Sequence, residues 1–412
     1  MPDERPILIA GGGIGGLALA LALAQLGCAS IVLERQAALS AAGAGIQLGP
    51  NAVRALQALG LAETLKPWAG EPEAIEVFTA GGRLLARLPL GRWIADRHGA
   101  PYWAVHRGDL HRVLAEAASV EPMIDIRSGF EVAAVTQSAD AVNVEDGTGR
   151  SVSGPMLVGA DGLWSAVRAA LVPASVPRPA GATATRTVIP LARTGELPVG
   201  SVGLWLGADA HVVHYPVRSG AELAVTVIAR EDWGGRTWDA EADADALRRR
   251  LVPFHARLTQ VLVPGGAADH TWRKWALHTL PALPEWALGR SVLLGDAAHP
   301  VLPYLAQGGA LALEDAATLA RCIAAGRADV RSALAGFQAQ RAARARRVQA
   351  ASRRQGRIYR LPPPFSWARN AVLELVPGAR LMGQFDWLYG WRPPDLPLPL
   401  RGQAGPGGHA GP

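Results

Sequence analysis

The sequence has few of the features that mark secreted or membrane proteins. It contains only two cysteines, Cys28 and Cys322, which excludes a disulfide framework and favours a reducing, cytoplasmic setting. Its longest apolar run, residues 14–26, is about 13 residues long, whereas a membrane-spanning helix needs roughly 20. The N-terminus mixes acidic residues with one arginine and is unlike a signal peptide. We therefore expect no integral membrane segment.

Lysine is also scarce, with Lys66 and Lys274 as the two in the chain, and the net charge of +6 is small for 412 residues. The arginines concentrate in residues 340–360, which we interpret as a solvated helix because charge runs usually mark exposed faces. A nucleic-acid interface is the weaker interpretation, since neither interleaved aromatic residues nor a nucleic-acid-binding module accompanies these arginines. Nucleic acid is therefore not an expected partner.

A chain of this length with 49% hydrophobic residues can bury a large core and divide into two domains. Its ends read as alternating strands and helices, whereas helical periodicity is weak between them. We predict an α/β fold with a Rossmann-like dinucleotide-binding domain built from residues 1–175 and 283–395, the second part ending in C-terminal helices. A β-rich substrate domain, residues 176–282, is inserted between them, and the glycine- and proline-rich tail, residues 396–412, is predicted to be disordered.

The first motif is a glycine-rich turn between a buried strand and an alanine-leucine helix. Gly11, Gly13 and Gly16 match G-x-G-x-x-G, and Gly15 belongs to the same turn. Glycine permits the tight turn, the close approach of backbone to a pyrophosphate, and close packing of helix on strand. Glu34 ends the next strand, where its carboxylate can accept hydrogen bonds from the hydroxyls of an adenosine ribose. Together these features predict dinucleotide binding.

Two further motifs have the same form, in which a short apolar strand is followed by glycine and an acid. They are GADG at residues 159–162, with Asp161, and LLGDAAHP at residues 293–300, with Asp296. Carboxylates at strand ends can accept hydrogen bonds from sugar or polyol hydroxyls. One nucleotide does not require three such turns. Three such turns suit a longer ligand that has adenosine at one end and a polyol and ring at the other, and FAD is such a ligand.

In these three motifs the sequence resembles the single-component flavin monooxygenases that hydroxylate aromatic rings, and within them the salicylate, 3-hydroxybenzoate and 6-hydroxynicotinate hydroxylase branch. The resemblance covers most of residues 5–392. It implies a fold like that of p-hydroxybenzoate hydroxylase, with an FAD-binding domain and an inserted substrate sheet. It also implies that NADH or NADPH, binding transiently, reduces FAD, and that O2 then forms a flavin C4a-hydroperoxide that hydroxylates the ring. No metal is expected.

The resemblance also implies roles for particular residues. At the adenosine end of FAD it places Glu34 and Arg35 near the ribose, and Arg107 on the phosphate-ribityl region. It places Asp161 in a motif shared with the nicotinamide donor and Asp296 on the ribityl chain. At the flavin ring it places Gly308 and Gly309 at the pyrimidine edge and Pro303 near the reactive carbon. Helix electrostatics support the assignment of Gly308 and Gly309 to the flavin edge. A helix N-terminus offers unpaired N–H groups and about half a positive charge to an anionic reduced flavin. Ala310 departs from the polar residue or cysteine of many relatives, which leaves the tuning of the flavin pocket open. For His299 we expect a structural hydrogen bond.

The strand-like stretch HVVHYPV, residues 211–217, contains the candidate substrate residues. Strand alternation places His211 and Tyr215 on one face and His214 on the other. We predict His211 as base or hydrogen-bond acceptor and Tyr215 as its polar companion, a spacing that the family branch also shows in its pocket. A merely structural histidine is the alternative. Gln47 is a further candidate for contact with the cofactor or the pocket.

The sequence is also compatible with other functions. The same scaffold could support epoxidation of a polyene or hydroxylation of a ubiquinone precursor, and a non-catalytic FAD-binding protein is a third reading. Halogenation is disfavoured because the W-x-W-x-I-P stretch of flavin halogenases is absent. We expect a small aromatic substrate and O2 as partners, and a homodimer is compatible with the sequence. The motifs specify neither the ring that is oxidised nor the choice between NADH and NADPH.

Overall fold

The computed structural model describes residues 5–39, 45–233, 240–263, 271–326 and 329–395. The predicted disordered tail, residues 396–412, lies outside the described residues. In chain order the strands are β1 (Ile7–Ala10), β2 (Ser30–Glu34), β3 (Gly45–Leu48), β4 (Ala74–Thr79), β5 (Leu84–Pro89), β6 (Trp103–His106), β7 (Ile124–Ser128), β8 (Val132–Gln137), β9 (Val142–Asp146), β10 (Ser151–Gly154), β11 (Leu157–Gly159), β12 (Arg178–Pro190), β13 (Val202–Leu206), β14 (Ala210–Val217), β15 (Glu222–Arg230), β16 (Ala240–Glu241), β17 (Arg273–Thr279), β18 (Ala287–Leu288) and β19 (Ser291–Leu293).

The helices alternate with these strands at both ends of the chain. In chain order they are α1 (Ile14–Gln25), α2 (Pro50–Ala58), α3 (Ala62–Leu65), α4 (Gly91–His98), α5 (Arg107–Ser119), α6 (Ala166–Leu171), α7 (Ala244–Leu251), α8 (Ala256–Leu262), α9 (Gly308–Ala325), α10 (Val330–Tyr359), α11 (Phe365–Leu375), α12 (Gly378–Gly383) and α13 (Asp386–Tyr389). Among the described residues, none of these helices combines the length and the apolar character needed to cross a membrane.

A six-stranded sheet forms the dinucleotide-binding part of the fold. Its order is β18-β19-β11-β1-β2-β7, and all neighbouring pairs are parallel except the edge pair β18-β19. The central strands are apolar and fully buried, as expected where helices cover both faces of a parallel sheet. Strands from both ends of the chain meet in this sheet, which confirms the predicted Rossmann-like fold.

A separate eight-stranded sheet, which we call the large sheet, has the order β16-β17-β12-β15-β14-β13-β4-β5. Most of its strands come from the middle of the chain, while β4 and β5 join one edge through a parallel pairing of β4 with β13. The middle of the chain is not purely β, however, because α7 and α8 pack their leucines into the core on one face of this sheet. Weak helical periodicity over residues 176–282 concealed these two short helices. The predicted domain boundaries stay a prediction.

Two smaller sheets and several helices complete the fold. Strands β8, β9 and β10 form an antiparallel sheet, and β3 pairs with β6. Helix α1 is alanine- and leucine-rich all round, and most of its residues are buried. Helix α10 is 30 residues long and packs against α9. Helix α1 packs on α9, and the loop before α9 packs on the eight-stranded sheet through the rings of Tyr304 and His211.

Candidate active site

The turn between β1 and α1 leaves the N-terminus of α1 open. Gly13 is the N-cap, and no side chain caps the helix. A Cβ atom on Gly13 would meet no heavy atom within 4 Å, whereas one on Gly16 would lie 1.9 Å from the carbonyl oxygen of Gly11. Gly11 has a φ of 105° and closely approaches the backbone of Ala160. Gly11 and Gly16 therefore shape the turn, while Gly13 faces open space from which an anion can reach free N–H groups.

Helices α1 and α9 begin side by side. A Cβ atom on Gly15 would lie 3.3 Å from Cβ of Ala312, and one on Gly309 would lie 4.0 Å from Cδ1 of Ile14. The absence of side chains on these glycines therefore lets the two helices approach. Because each N-terminus has about half a positive charge, this approach concentrates positive potential in one region.

The N-terminus of α9 is also free of a side-chain cap. Its N-cap residue is Gln307, and its first turn contains no acidic residue. The side chain of Gln307 is turned to another partner, since its Oε1 accepts a hydrogen bond of 2.9 Å from Nδ2 of Asn51. A Cβ atom on Gly308 would meet no heavy atom within 4 Å. The open backbone donors have the form that the predicted contact with a flavin ring requires.

Glu34 is fixed beside the glycine turn at the end of β2. Its Oε2 accepts a hydrogen bond of 2.7 Å from the amide of Gly12, and its Oε1 accepts one of 2.9 Å from the amide of Gln36. Each oxygen keeps a second lone pair for a ribose hydroxyl. The neighbouring Arg35 is exposed. His111 on α5, which was not identified from the sequence, braces the same turn through a contact of 2.8 Å between its Nε2 and the carbonyl of Gly12.

Asp161 is used within its own turn. It accepts hydrogen bonds from the hydroxyl of Ser165 at 2.5 Å and from the amide of Val167 at 3.1 Å, at the start of α6. Burial raises the pKa of Asp161, although these hydrogen bonds oppose the shift. The nearby Arg168 is buried and donates to the carbonyl of Ala297 at 3.0 Å. The second motif therefore braces the loop of the third, through an arginine that sequence reasoning missed.

Asp296 and Arg107 come together from distant parts of the chain. Burial raises the pKa of Asp296, and electrostatic interactions with His299 and Arg107 oppose this rise. Burial lowers the pKa of Arg107, and the charge of Asp296 opposes that fall. These reciprocal effects place the two side chains within electrostatic range of each other. Two of the predicted cofactor residues therefore share one partly buried region.

Asp315 holds the loop that precedes α9. Its Oδ2 accepts hydrogen bonds from the amide of Gly295 at 3.1 Å and from Nε2 of His299 at 2.6 Å, and its Oδ1 accepts one from Nε of Arg341 at 2.7 Å. Burial alone would raise the pKa of Asp315, but electrostatic interactions and hydrogen bonds with His299 and Arg341 lower it to about 2. The structural hydrogen bond that we expected of His299 is confirmed.

Glu314 completes a buried ionic network. Its carboxylate accepts hydrogen bonds of 2.7 Å from Nη2 of Arg341, 2.6 Å from Nε of Arg344 and 2.7 Å from Nδ2 of Asn51. The interpretation of residues 340–360 as a solvated helix is therefore wrong for the first part of that run. Further along, Arg346, Arg347, Arg353, Arg354 and Arg357 are exposed, and Arg360 is partly buried. Two adjacent acids in an otherwise apolar helix were the signal that cationic partners were needed.

Pro303 begins a short turn, Pro303–Leu305, between the third motif and α9. The next residue, Tyr304, has its ring 5.6 Å from that of His211 on β14, between ring centroids. A second ring, that of Tyr359 at the end of α10, lies 5.1 Å from His211. The turn that contains Pro303 thus packs against the face of the large sheet on which His211 lies.

The predicted alternation along β14 is confirmed. Tyr215 shares a core cluster with the apolar residues on the His211 face, whereas His214 accepts a hydrogen bond of 3.1 Å from Nε1 of Trp205 on the other face. Burial lowers the pKa of His211 to about 3, and the charge of Arg360 adds to this effect. Among the described residues, Nδ1 of His211 has no hydrogen-bond partner. His211 is therefore a neutral, unused acceptor or donor beside the loop.

Gln47 lies in a cluster of tyrosines. Its Oε1 accepts a hydrogen bond of 2.8 Å from the hydroxyl of Tyr102. Burial raises the pKa of Tyr215 to about 12, although hydrogen bonds with Gln47 and Thr226 oppose the shift. A Cβ atom on Gly45 would lie 2.4 Å from the ring of Tyr215, so β3 packs directly on this tyrosine. Gln47 thus lies with the predicted substrate residue Tyr215.

Arg186 on β12 belongs to the same region and was not identified from the sequence. Its guanidinium lies 4.0 Å from the centre of the Trp275 ring. Burial lowers its pKa to about 10, and the nearby Tyr215 opposes this fall. A lone arginine in a strand gives no local pattern, so only the fold reveals its position.

Comparisons with known proteins agree with this geometry. The family model described as FAD binding domain matches residues 4–352. A 3-hydroxybenzoate 6-hydroxylase from Klebsiella oxytoca is 35% identical over 391 residues, which cover 93% of this chain and 96% of the relative. A 6-hydroxynicotinate 3-monooxygenase from Pseudomonas fluorescens is 34% identical, covering 85% of this chain and 90% of the relative. A solved salicylate hydroxylase substrate complex has a TM-score of 0.80 at 24% identity, covers 94% of this chain and 95% of that chain, and shows a shared fold.

Proposed function

Because the chain belongs to the FAD-binding family of flavin-dependent aromatic hydroxylases, we propose that its substrate is a small ring bearing both a hydroxyl and a carboxylate group. The resemblance inferred from the motifs is confirmed, and the chain is an FAD-dependent aromatic monooxygenase that uses NADH or NADPH and O2. The relatives are named for 3-hydroxybenzoate and 6-hydroxynicotinate, which are hydroxylated aromatic acids. The observation that carries the proposal is the face of the large sheet that presents three polar side chains, His211, Tyr215 and Arg186, beside the loop before α9.

The residues of the site fit FAD. The open space in front of Gly13 and Gly308, at two uncapped helix N-termini, accommodates an anionic cofactor. We assign the pyrophosphate to the turn that Gly11, Gly13, Gly15 and Gly16 shape, where Gly13 faces the open space. We assign the ribose to Glu34, the ribityl-phosphate region to Arg107 and Asp296, and the pyrimidine edge to Gly308 and Gly309. When bound, FAD supplies the electrons taken from the nicotinamide donor and activates O2. The predicted contacts of Arg35, Asp161 and Pro303 stay predictions.

His211 is suited to accept a hydrogen bond from the ring hydroxyl of the substrate. With a pKa of about 3 it is neutral at physiological pH, so a ring nitrogen keeps its lone pair. Tyr215, with a pKa of about 12, keeps its proton and can donate or accept beside it. Polarising the substrate O–H increases electron density on the ring, which favours attack by an electrophilic oxygen. We therefore assign His211 as an acceptor rather than as a base that stores the proton.

The test is a panel of aromatic acids offered to the FAD-loaded enzyme. We expect 3-hydroxybenzoate, salicylate or 6-hydroxynicotinate to accelerate NADH or NADPH oxidation and to give a product heavier by one oxygen atom. Peroxide is measured in parallel, because oxidation without transfer to the ring releases it. If no hydroxylated aromatic acid stimulates oxidation and a polyene or prenylated ring does, the proposal fails in favour of the alternative substrates.

A variant separates the cofactor from the substrate residues. His211→Ala should keep the FAD content of the wild type and divert oxidation from hydroxylated product to peroxide. A variant that hydroxylates normally would remove His211 from the mechanism, and one that loses FAD would show a structural role. The predicted cytoplasmic location and homodimer stay predictions, which fractionation and the solution mass of the purified protein test.

A further inference from the structure

The position of Arg186 on the large sheet links it to the predicted substrate residues. Arg186 on β12 is directly opposite Thr226 on β15, and Thr226 is directly opposite Val213 on β14. Directly paired residues of neighbouring strands project to the same face of a sheet. Val213 lies between His211 and Tyr215 on its strand, so Arg186 projects to the face that presents these two residues. Two strand spacings, about 10 Å, separate Arg186 from Val213 along that face.

The charge of Arg186 is not neutralised within the described part of the protein. Its Nε is buried and has no hydrogen-bond partner there, and no carboxylate forms an ion pair with it. Its guanidinium lies 4.0 Å from the centre of the Trp275 ring. Stacking on an aromatic ring stabilises a guanidinium and fixes its plane, but leaves the N–H groups at its edge available. Arg186 is partly buried, and its Nε is fully buried. A cation in this position without an anionic partner is unfavourable, so an anion is expected to bind there.

We propose that Arg186 binds the carboxylate of the aromatic substrate while His211 and Tyr215 contact its ring hydroxyl. This inference rests on the proposed function, and it names the group that recognises the acid. The planar fork of a guanidinium matches a carboxylate with two parallel N–H···O bonds. An aromatic acid with its two polar groups on different ring positions can then be held at both ends across the face of the sheet.

Arg107 supplies a second reason for an anion at this place. It lies within electrostatic range of Arg186, and the two positive charges repel each other. Asp296 offsets the charge of Arg107, whereas no described acid acts in the same way on Arg186. A phosphate of FAD is the competing anion for Arg186. The test must therefore distinguish loss of substrate affinity from loss of FAD.

The experiment compares an acid with its uncharged isostere. Binding of 3-hydroxybenzoate and of 3-hydroxybenzamide to the oxidised, FAD-loaded enzyme is measured by calorimetry, without turnover. The variants are Arg186→Gln, Arg186→Lys and, as a matched control, Arg257→Gln. Arg257 also stacks on aromatic rings and has an unpartnered Nε, but it lies beside His214 on the opposite face of the same sheet.

We expect Arg186→Gln to weaken binding of 3-hydroxybenzoate by roughly 10- to 100-fold, the value of charge-assisted hydrogen bonds, and to change binding of the amide less than about threefold. Arg186→Lys should be intermediate, because it keeps the charge and loses the fork. The Arg257 variant should bind both ligands as the wild type does. Equal weakening for acid and amide, or loss of FAD from Arg186→Gln, would overturn the inference. If the wild type binds the acid but hydroxylates nothing, the proposed function fails and the assignment of Arg186 stands.

Discussion

Replacing Arg341 by methionine measures how much the buried ionic network contributes to the fold. Arg341 donates hydrogen bonds of 2.7 Å from Nε to Asp315 and from Nη2 to Glu314, and all three side chains are almost fully buried. A hydrogen bond to a charged group is worth about 1.5–3 kcal/mol, and removing one partner of a buried pair typically costs about 3–5 kcal/mol. We therefore expect Arg341→Met to lower the free energy of unfolding by about 3–5 kcal/mol at neutral pH.

The loss should depend on pH in a defined direction. In the wild type the pKa of Asp315 is lowered to about 2, so its ionised form stabilises the folded state above the unfolded-state pKa, and this contribution is lost as the pH falls towards 2. Without Arg341, burial favours the protonated form of Asp315, and the folded variant takes up a proton more readily. The difference in stability should therefore be largest at neutral pH and should shrink as the pH falls towards 2.

Urea unfolding followed by tryptophan fluorescence provides the measurement, and FAD release is recorded in the same samples. Arg346→Met is the matched control, because Arg346 is an exposed arginine on the same helix and its replacement should cost no more than about 0.5 kcal/mol. Arg341→Met should also bind FAD more weakly, because Asp315 anchors the loop of Asp296. Equal stabilities of the two variants, or a difference that grows on acidification, would refute the reasoning.

Three further outcomes test the site. Gly13→Ala should leave the stability of the apoprotein unchanged and weaken FAD binding, measured by fluorescence titration, whereas Gly16→Ala should lower both because its Cβ would meet backbone at 1.9 Å. Asp296→Ala should lower FAD occupancy of the purified protein, and unchanged occupancy would argue against its assignment to the ribityl chain. Because His211 has a pKa of about 3, the pH profile of kcat/KM for the wild type should show no ionisation of this residue near its ordinary value of about 6.5. The profile of His211→Ala should have the same shape, with lower values of kcat/KM.

The features that were predictable from the sequence are those set by local patterns. The glycine turn at residues 11–13 lies between a buried strand and a helix, so steric rules alone fix its form. The opposite faces of His211 and His214 follow from the period of a strand. In each case the physical cause acts over a few neighbouring residues.

The features that were missed depend on partners far apart in the chain. Arg168 contacts the carbonyl of Ala297, and Arg341 contacts Asp315, across 129 and 26 positions. The arginine run was interpreted by its average character, whereas burial differs between adjacent turns of the same helix. Arg186 is a single residue in a strand, so no spacing marks it. Whether a charge is buried is a property of the fold, and one sequence does not contain the pairings that would reveal it.

The positions of the acids on α9 explain why its N-terminus remains available to a ligand. Acidic residues ordinarily stabilise a helix in its first turn, where they offset the positive end of the dipole. On α9 the acids are Glu314 and Asp315, almost two turns further along, and their charges are neutralised by arginines of α10. The side chain of Gln307 is occupied by Asn51. The N–H groups of the first turn consequently keep their positive potential for a negatively charged ring, while the buried ion pairs hold the helix in place.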